Sequence, residues 1–298
     1  MDAIPYSAKA DDLYYPAKHA VFFPQGRPAS EAALCAEMCR VAYCQQASGF
    51  AFDQERMGAV LDSIGFKIRE FLESPHTPEH EGTHCFLAVG RDGQTDGELA
   101  VLAFRGTNKD DLRDVVADLK FLPQPWKGGG RVHRGFAESL AEIEPALDAA
   151  LRSITGRLLI TGHSLGAAMA TLVASWRKPA SLYTIGSPRV GDKAFLATLH
   201  GVENHRYVDC CDVVTRVPFL MGYRHLGDPY YIARDRDIRY GRNSLAILTD
   251  RLRASWAYQK QYGLEAGNLP ARELADHAPI NYVSAISAAD SPQSPARR

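Results

Sequence analysis

Between residues 157 and 209 the chain alternates short apolar runs with longer stretches of helical composition. "LLIT" and "LYTI" are apolar throughout, as strands covered on both faces must be. The pattern predicts strands at 157–161, 181–186 and 205–209, with helices near 135–153 and over 165–177. Such alternation implies βαβ units, and so a mostly parallel central sheet with helices on both faces. Upstream, "SEAALCAEMCRVAYC" reads as a helix capped by Ser30, with Leu34, Met38 and Val41 on one face. In "QERMGAVLDSIGF", Met57, Val60, Leu61 and Ile64 repeat at helical spacing, and Gly65 sits where a helix stops. "HCFLAVG" and "ELAVLAFRG" read as two strands joined by a hairpin around Asp92-Gly93. Residues 1–29 are Pro-rich and read as irregular, and 291–298 as a disordered tail. With no internal repeat and no linker before 225, residues 1–298 are expected to form one domain.

A 46% hydrophobic content over 298 residues is enough for one large core. The net charge of −1 argues against wholesale attraction to nucleic acid or to an anionic membrane. No run of 18 apolar residues exists to span a bilayer. The first thirty residues lack the pattern of a Sec signal, which points to the cytoplasm, with a leaderless export route left open. The six cysteines, at 35, 39, 44, 85, 210 and 211, show no convincing ligand spacing. They read as reduced, packed thiols, with no metal site expected.

At the joint between the 157–161 strand and the next helix stands Gly162-His163-Ser164-Leu165-Gly166. A G-x-S-x-G pentapeptide after a strand and before a helix is the context of a nucleophile elbow. Its tight turn would present the Ser164 hydroxyl, exposed at a pocket floor, while Gly162, Gly166 and the small Ala167, Ala168 and Ala170 let helix and sheet approach closely. A serine needs a base, and the base an orienting carboxylate, in the chain order Ser, Asp or Glu, His on this kind of sheet. Only His225 and His277 follow the 205–209 strand, and Asp209 and Asp212 flank its end.

The ordered segments "RVAYC", "AFRGT", "VHRGF", "YTIGSPRVGD", "VDCCDVVTRVP", "YRHLG" and "DHAPINY" resemble those of the class 3 lipases, the fungal triacylglycerol lipases and their bacterial relatives. The resemblance covers roughly residues 30–285 and thins after 230. It implies an α/β-hydrolase fold with a short helical lid at 108–127, and it implies Ser164 as nucleophile, Asp212 as acid and His277 as base. Asp209 and His225 are then the less favoured acid and base, and His163 a supporting residue. The backbone N–H groups of Leu165 and Thr107 would form the oxyanion hole. Asp118 in "VADL" matches the family's residue that orients the oxyanion hydroxyl, although a solvated helix carboxylate fits it too. In "NKDDLRDVVADLKFLPQPWKGGG", Leu112, Val115, Val116 and Leu119 form an apolar stripe that Phe121, Leu122 and Trp126 would extend. Val115 stands where the family often has Trp, and the 233–270 segment has no counterpart, so a pocket wall or an oligomer contact is open for it.

These readings converge on a serine carboxylic-ester hydrolase of the lipase or esterase kind. Its expected substrates are acylglycerides or similar short- to medium-chain esters, met as small molecules or at a lipid–water interface, and it needs no cofactor. Phospholipase A1, feruloyl-type esterase and thioesterase activities share the same chemistry. A non-catalytic binding protein on the same fold is the alternative of another class.

Overall fold

A computed structural model describes residues 4–18, 21–47, 49–75, 82–107, 122–218, 222–241 and 244–290. Its centre is an eight-stranded sheet. The strands are β1 (Phe66–Glu73), β2 (His84–Arg91), β3 (Glu98–Phe104), β6 (Arg157–His163), β7 (Ser181–Ile185), β8 (Glu203–Asp209), β9 (Pro229–Ile232) and β10 (Ile238–Tyr240), in the order β1-β2-β3-β6-β7-β8-β9-β10. From β3 to β9 every neighbouring pair is parallel, while β1, β2 and β10 pair antiparallel at the two ends. A separate pair, β4 (Pro123–Pro125) with β5 (Arg131–His133), lies outside this sheet.

Alternation along the buried strands divides the core in two. Val101 and Ala103 face one side with the helices Glu31–Val41 and Pro279–Asp290. Ala100, Leu102 and Phe104 face the other with Arg134–Ala141, Glu144–Arg152 and Leu165–Arg177. Both faces are covered, which is why these strands carry no polar stripe. All six cysteines are free and buried. Among the described residues, no helix is long and apolar enough to cross a membrane.

The structure departs from the sequence reading at several places. The helix expected near 135–153 breaks in two at 142–143, where Pro145 enters the first turn of the second helix and lacks an N–H for a continuous ladder. The N-terminal segment is not irregular throughout, since Ala10–Tyr14 is helical. The "YRHLG" segment pairs only through an isolated bridge between Arg224 and Gly191. The expected lid does not extend to 127. Residues 123–125 pair with β5, and Trp126 packs on Trp176 and Phe195 and donates through Nε1 to Ser175 Oγ at 2.9 Å. Residues 108–121, with Asp118 and the stripe from Leu112 to Leu119, and the tail 291–298 lie outside the described residues.

The parallel register positions the site. Phe104 stands opposite Gly162, His163 opposite Ile185, and Ile185 opposite Tyr207. The segments that leave β3, β6, β7 and β8 therefore emerge side by side at the carboxyl edge of the sheet. Ligands bind at that edge in open parallel sheets.

Candidate active site

Ser164 directly follows β6 and caps the helix Leu165–Arg177 with φ 57° and ψ −128°, a left-handed backbone that non-glycine residues rarely adopt. Two glycines make the turn possible. A Cβ on Gly162 would lie 2.3 Å from Gly166 O, and one on Gly166 would lie 2.5 Å from Phe104 O. Strand and helix thus cross with backbone against backbone, and the strain at Ser164 is held by the packed elements on either side.

His277 Nε2 lies 2.9 Å from Ser164 Oγ, and its Nδ1 lies 2.9 Å from Asp212 Oδ2. The other Asp212 oxygen accepts the Val214 N–H at 2.8 Å. Tyr282 Oη donates to Asp212 Oδ2 at 2.6 Å and accepts the Asp209 N–H at 3.0 Å. Burial holds the Tyr282 phenol well above its ordinary range, so it stays a donor. The three side chains line up as nucleophile, base and carboxylate, with the imidazole tautomer set by the acid.

The expectation of an exposed Ser164 does not hold: the residue is 2% exposed and His277 is 1%. His277 is hydrogen-bonded to Ser164 Oγ, and the Gly106 backbone lies close enough that a Cβ there would be 2.9 Å from Ser164 Cβ.

His163 proves to be a strut. Its Nε2 donates to the His277 carbonyl at 2.9 Å and its Nδ1 accepts from Tyr43 Oη at 2.7 Å. Those partners require the neutral Nε2–H tautomer, and burial pushes its pKa well below 6.5 in the same direction. Tyr43 comes from "RVAYC", a contact between residues 120 apart that the sequence alone does not announce.

The two alternative residues are engaged elsewhere. Asp209 Oδ2 accepts from Arg236 Nη1 at 2.7 Å, and its Oδ1 accepts the Cys210 N–H at 2.7 Å. Burial pushes its carboxyl up to about 7, with Arg236 pulling the other way. His225 Nε2 donates to Thr215 O at 2.7 Å, and burial lowers its pKa to about 3. It braces the turn that follows Asp212.

Asp276 was not singled out from the sequence, although it directly precedes His277. Its carboxylate accepts the Cys211 N–H at 2.8 Å, Tyr6 Oη at 2.9 Å and Arg272 Nε at 3.1 Å. Tyr6 lies beneath both Arg236 and Arg272, 5.1 and 5.5 Å from their guanidinium carbons. Cys210, Cys211 and Asp276 bring possible metal-ligand atoms within 4.8 Å of one another. Both Asp276 oxygens are already committed to these N–H and O–H donors, so the cluster reads as a hydrogen-bonded brace.

Leu165 opens its helix, where an N–H has no intrahelical acceptor, and Ser164 before it lies against Gly106, just past β3, where a Cβ would be 2.9 Å from Ser164 Cβ. The Thr107 hydroxyl is buried and has no hydrogen-bond partner among the described residues.

The class 3 lipase family model matches residues 101–222, which contain the elbow, Thr107 and Asp212. The lipase of Rhizomucor miehei is 34% identical over 170 residues, covering 50% of this chain and 45% of that protein. The secreted mono- and diacylglycerol lipase A of Penicillium cyclopium is 32% identical over 163 residues, covering 50% of this chain and 52% of that protein. The chain thus spans about half the length of these curated relatives. The solved Rhizomucor miehei triacylglyceride lipase superposes with a TM-score of 0.51 at 26% identity, covering 69% of this chain and 82% of that one. The central sheet and its two helical faces are those of an α/β-hydrolase fold. The ordered motifs, the family match and the shared fold agree: residues 101–222 match the class 3 lipase family, and the chain is similar in sequence and fold to its lipases.

Proposed function

We propose that the protein is a serine carboxylic-ester hydrolase acting on acylglycerides or similar esters through an acyl-enzyme. The observation that carries this reading is the unbroken line Ser164 Oγ, His277, Asp212 at 2.9 Å per step. His277 Nε2 takes the Ser164 proton as Oγ attacks the ester carbonyl, and Asp212 steadies the imidazolium through Nδ1. The backbone N–H groups of Leu165 and Thr107 meet the charge that develops on the carbonyl oxygen. Such donors supply roughly a hundredfold in rate each because that charge exists only in the tetrahedral state. His277 then protonates the leaving alkoxide, and water releases the acid by the same steps in reverse. The likeness to mono- and diacylglycerol and triacylglycerol lipases supports acylglycerides as the substrate class. Short- to medium-chain acyl groups are the expected preference.

A fluorophosphonate probe tests the reading directly. Stoichiometric adduct at Ser164 by peptide mass spectrometry, lost in His277→Ala, is the expected result. A folded chain that hydrolyses no ester and takes no label would instead be a binding protein on a hydrolase fold.

A further inference from the structure

The helix Ser244–Tyr262 has no counterpart in the family's motifs, and its two sides differ sharply. Asp250, Ala254 and Tyr258 face inward. Asp250 accepts from Tyr231 Oη at 3.1 Å, Tyr258 donates to Leu269 O at 2.9 Å, and Arg251 Nε donates to Cys210 O at 2.7 Å. The helix is thus fastened to the loop that carries Asp212. On the opposite side Leu245, Leu248, Leu252 and Trp256 recur every three or four residues and are 72, 52, 65 and 66% exposed. Four large apolar side chains in one outward row are not the scattered exposure of an ordinary surface.

Charge says what covers them. The helix itself carries three bases (Arg251, Arg253 and Lys260) against one acid, Asp250, which is buried. The whole-chain charge of −1 conceals this local excess. Arg253 and Lys260 border the apolar row on one side, and Lys260 Nζ sits 4.5 Å over the Trp256 ring. A second copy docked antiparallel through the same face about a two-fold axis would set Arg253 beside its own counterpart, and a parallel one would leave both sets of cations unmatched by any acid. An anionic lipid surface instead accepts the row in its acyl boundary and the cations at its headgroups, with Trp256 at the level between.

We propose that the outer face of Ser244–Tyr262 docks the protein on anionic phospholipid surfaces, through Leu245, Leu248, Leu252 and Trp256 flanked by Arg253 and Lys260. This goes beyond ester hydrolysis and does not depend on it.

The test is flotation of the full chain carrying Ser164→Ala with phosphatidylcholine vesicles, with and without about a third phosphatidylglycerol. Binding should be roughly tenfold or more tighter to the anionic vesicles and should weaken with salt. Leu252→Glu with Trp256→Glu, and separately Arg253→Glu with Lys260→Glu, should each lose roughly tenfold or more. Trp256→Phe should keep most of the binding while losing the blue shift of tryptophan emission. Far-UV spectra and melting curves of the variants establish that these exposed changes leave the fold intact. Binding that is equal on neutral vesicles, or unaltered in both double variants, overturns the proposal. So does a dimer by light scattering that Leu252→Glu with Trp256→Glu dissociates, for then a second copy covers the row. Because binding is scored without a nucleophile, a failure here is separate from a failure of the hydrolase reading.

Discussion

Asp276, the residue before His277, accepts the backbone N–H of Cys211, the residue before Asp212, at 2.8 Å. The segments bearing the proposed base and acid are thereby joined one position behind the side chains that react. Arg272 and Tyr6 hold the Asp276 carboxylate in place from the far side. Asp276→Ala should leave the buried Arg272 guanidinium without its counterion, at a cost of roughly 3–5 kcal/mol in denaturant unfolding. Asp276→Asn keeps the shape but turns an amide toward a donor, and it should lower kcat more than it raises KM. A variant as stable and as active as the parent would show the brace to be incidental.

Ser164→Ala should abolish ester hydrolysis and leave the melting transition close to the parent's. The change removes one hydroxyl whose partner is His277 and creates no cavity of consequence. Activity near that of the parent would remove Ser164 from the chemistry altogether.

The carboxylates and histidines separate by their partners. Asp212→Asn should lower turnover by about 10⁴, because the amide favours the wrong imidazole tautomer. Tyr282→Phe removes one donor to Asp212 Oδ2 and should cost roughly tenfold in kcat with little change in KM. Asp209→Asn, with its carboxyl turned to Arg236, should cost far less than Asp212→Asn in rate. Steady-state kinetics on one soluble ester ranks all three, and a reversed order of Asp209 and Asp212 would reassign the acid.

How much of this was legible depended on chain distance. The elbow was readable because strand, pentapeptide and helix are contiguous, so period and motif fall in one window. The strand β1 was not, since "FKIREFLE" lies at the sheet's edge and a bulge between Ile68 and Glu70 leaves Arg69 and Glu70 both exposed and breaks the two-residue period. Short β9 and β10 carry too few residues for a period to register. The supports of the site were hidden for a different reason. Tyr6 meets Asp276 across 270 positions and Tyr43 meets His163 across 120, and no local pattern records such pairs. The burial of Ser164 likewise belongs to packing around the turn and not to the turn's own sequence.

His225 gives a pH dependence of defined sign. Its folded pKa lies near 3, below the usual value of 6.5, so the unfolded chain binds the additional proton between those limits. Its contribution to stability is present above about pH 6.5 and is lost as pH falls toward 3. The slope is about 1.4 kcal/mol per pH unit. Asp209, raised to about 7, acts with opposite sign across much of the same window, so the parent's curve alone is not diagnostic. His225→Asn can still donate to Thr215 O and does not titrate. The difference between parent and variant in urea unfolding should therefore change by about 1.4 kcal/mol per unit between pH 6 and 4. Parallel curves would show that His225 is not held neutral.

Gly106 offers a test of the oxyanion arrangement without touching a reacting side chain. It precedes Thr107 at the end of β3, and a Cβ there would lie 2.3 Å from Tyr43 Oη, 2.7 Å from His163 O and 2.9 Å from Ser164 Cβ. None of these can yield freely. Tyr43 is hydrogen-bonded to His163, and the His163 carbonyl belongs to the last residue of β6. In Gly106→Ala the loop must retreat from the elbow, carrying the Thr107 N–H away from the place where the carbonyl oxygen develops charge. Loss of one such donor costs about 10²–10³ in kcat. The overpacking itself should cost about 1–3 kcal/mol in stability. Fluorophosphonate labelling of Ser164 should slow alongside ester turnover, since both reactions place charge on the same oxygen site. Adding Tyr43→Phe removes the tightest of the three contacts and should restore part of both rates. Gly106→Ala at the parent's rate would mean that Thr107 contributes nothing there, leaving Leu165 to meet the charge alone.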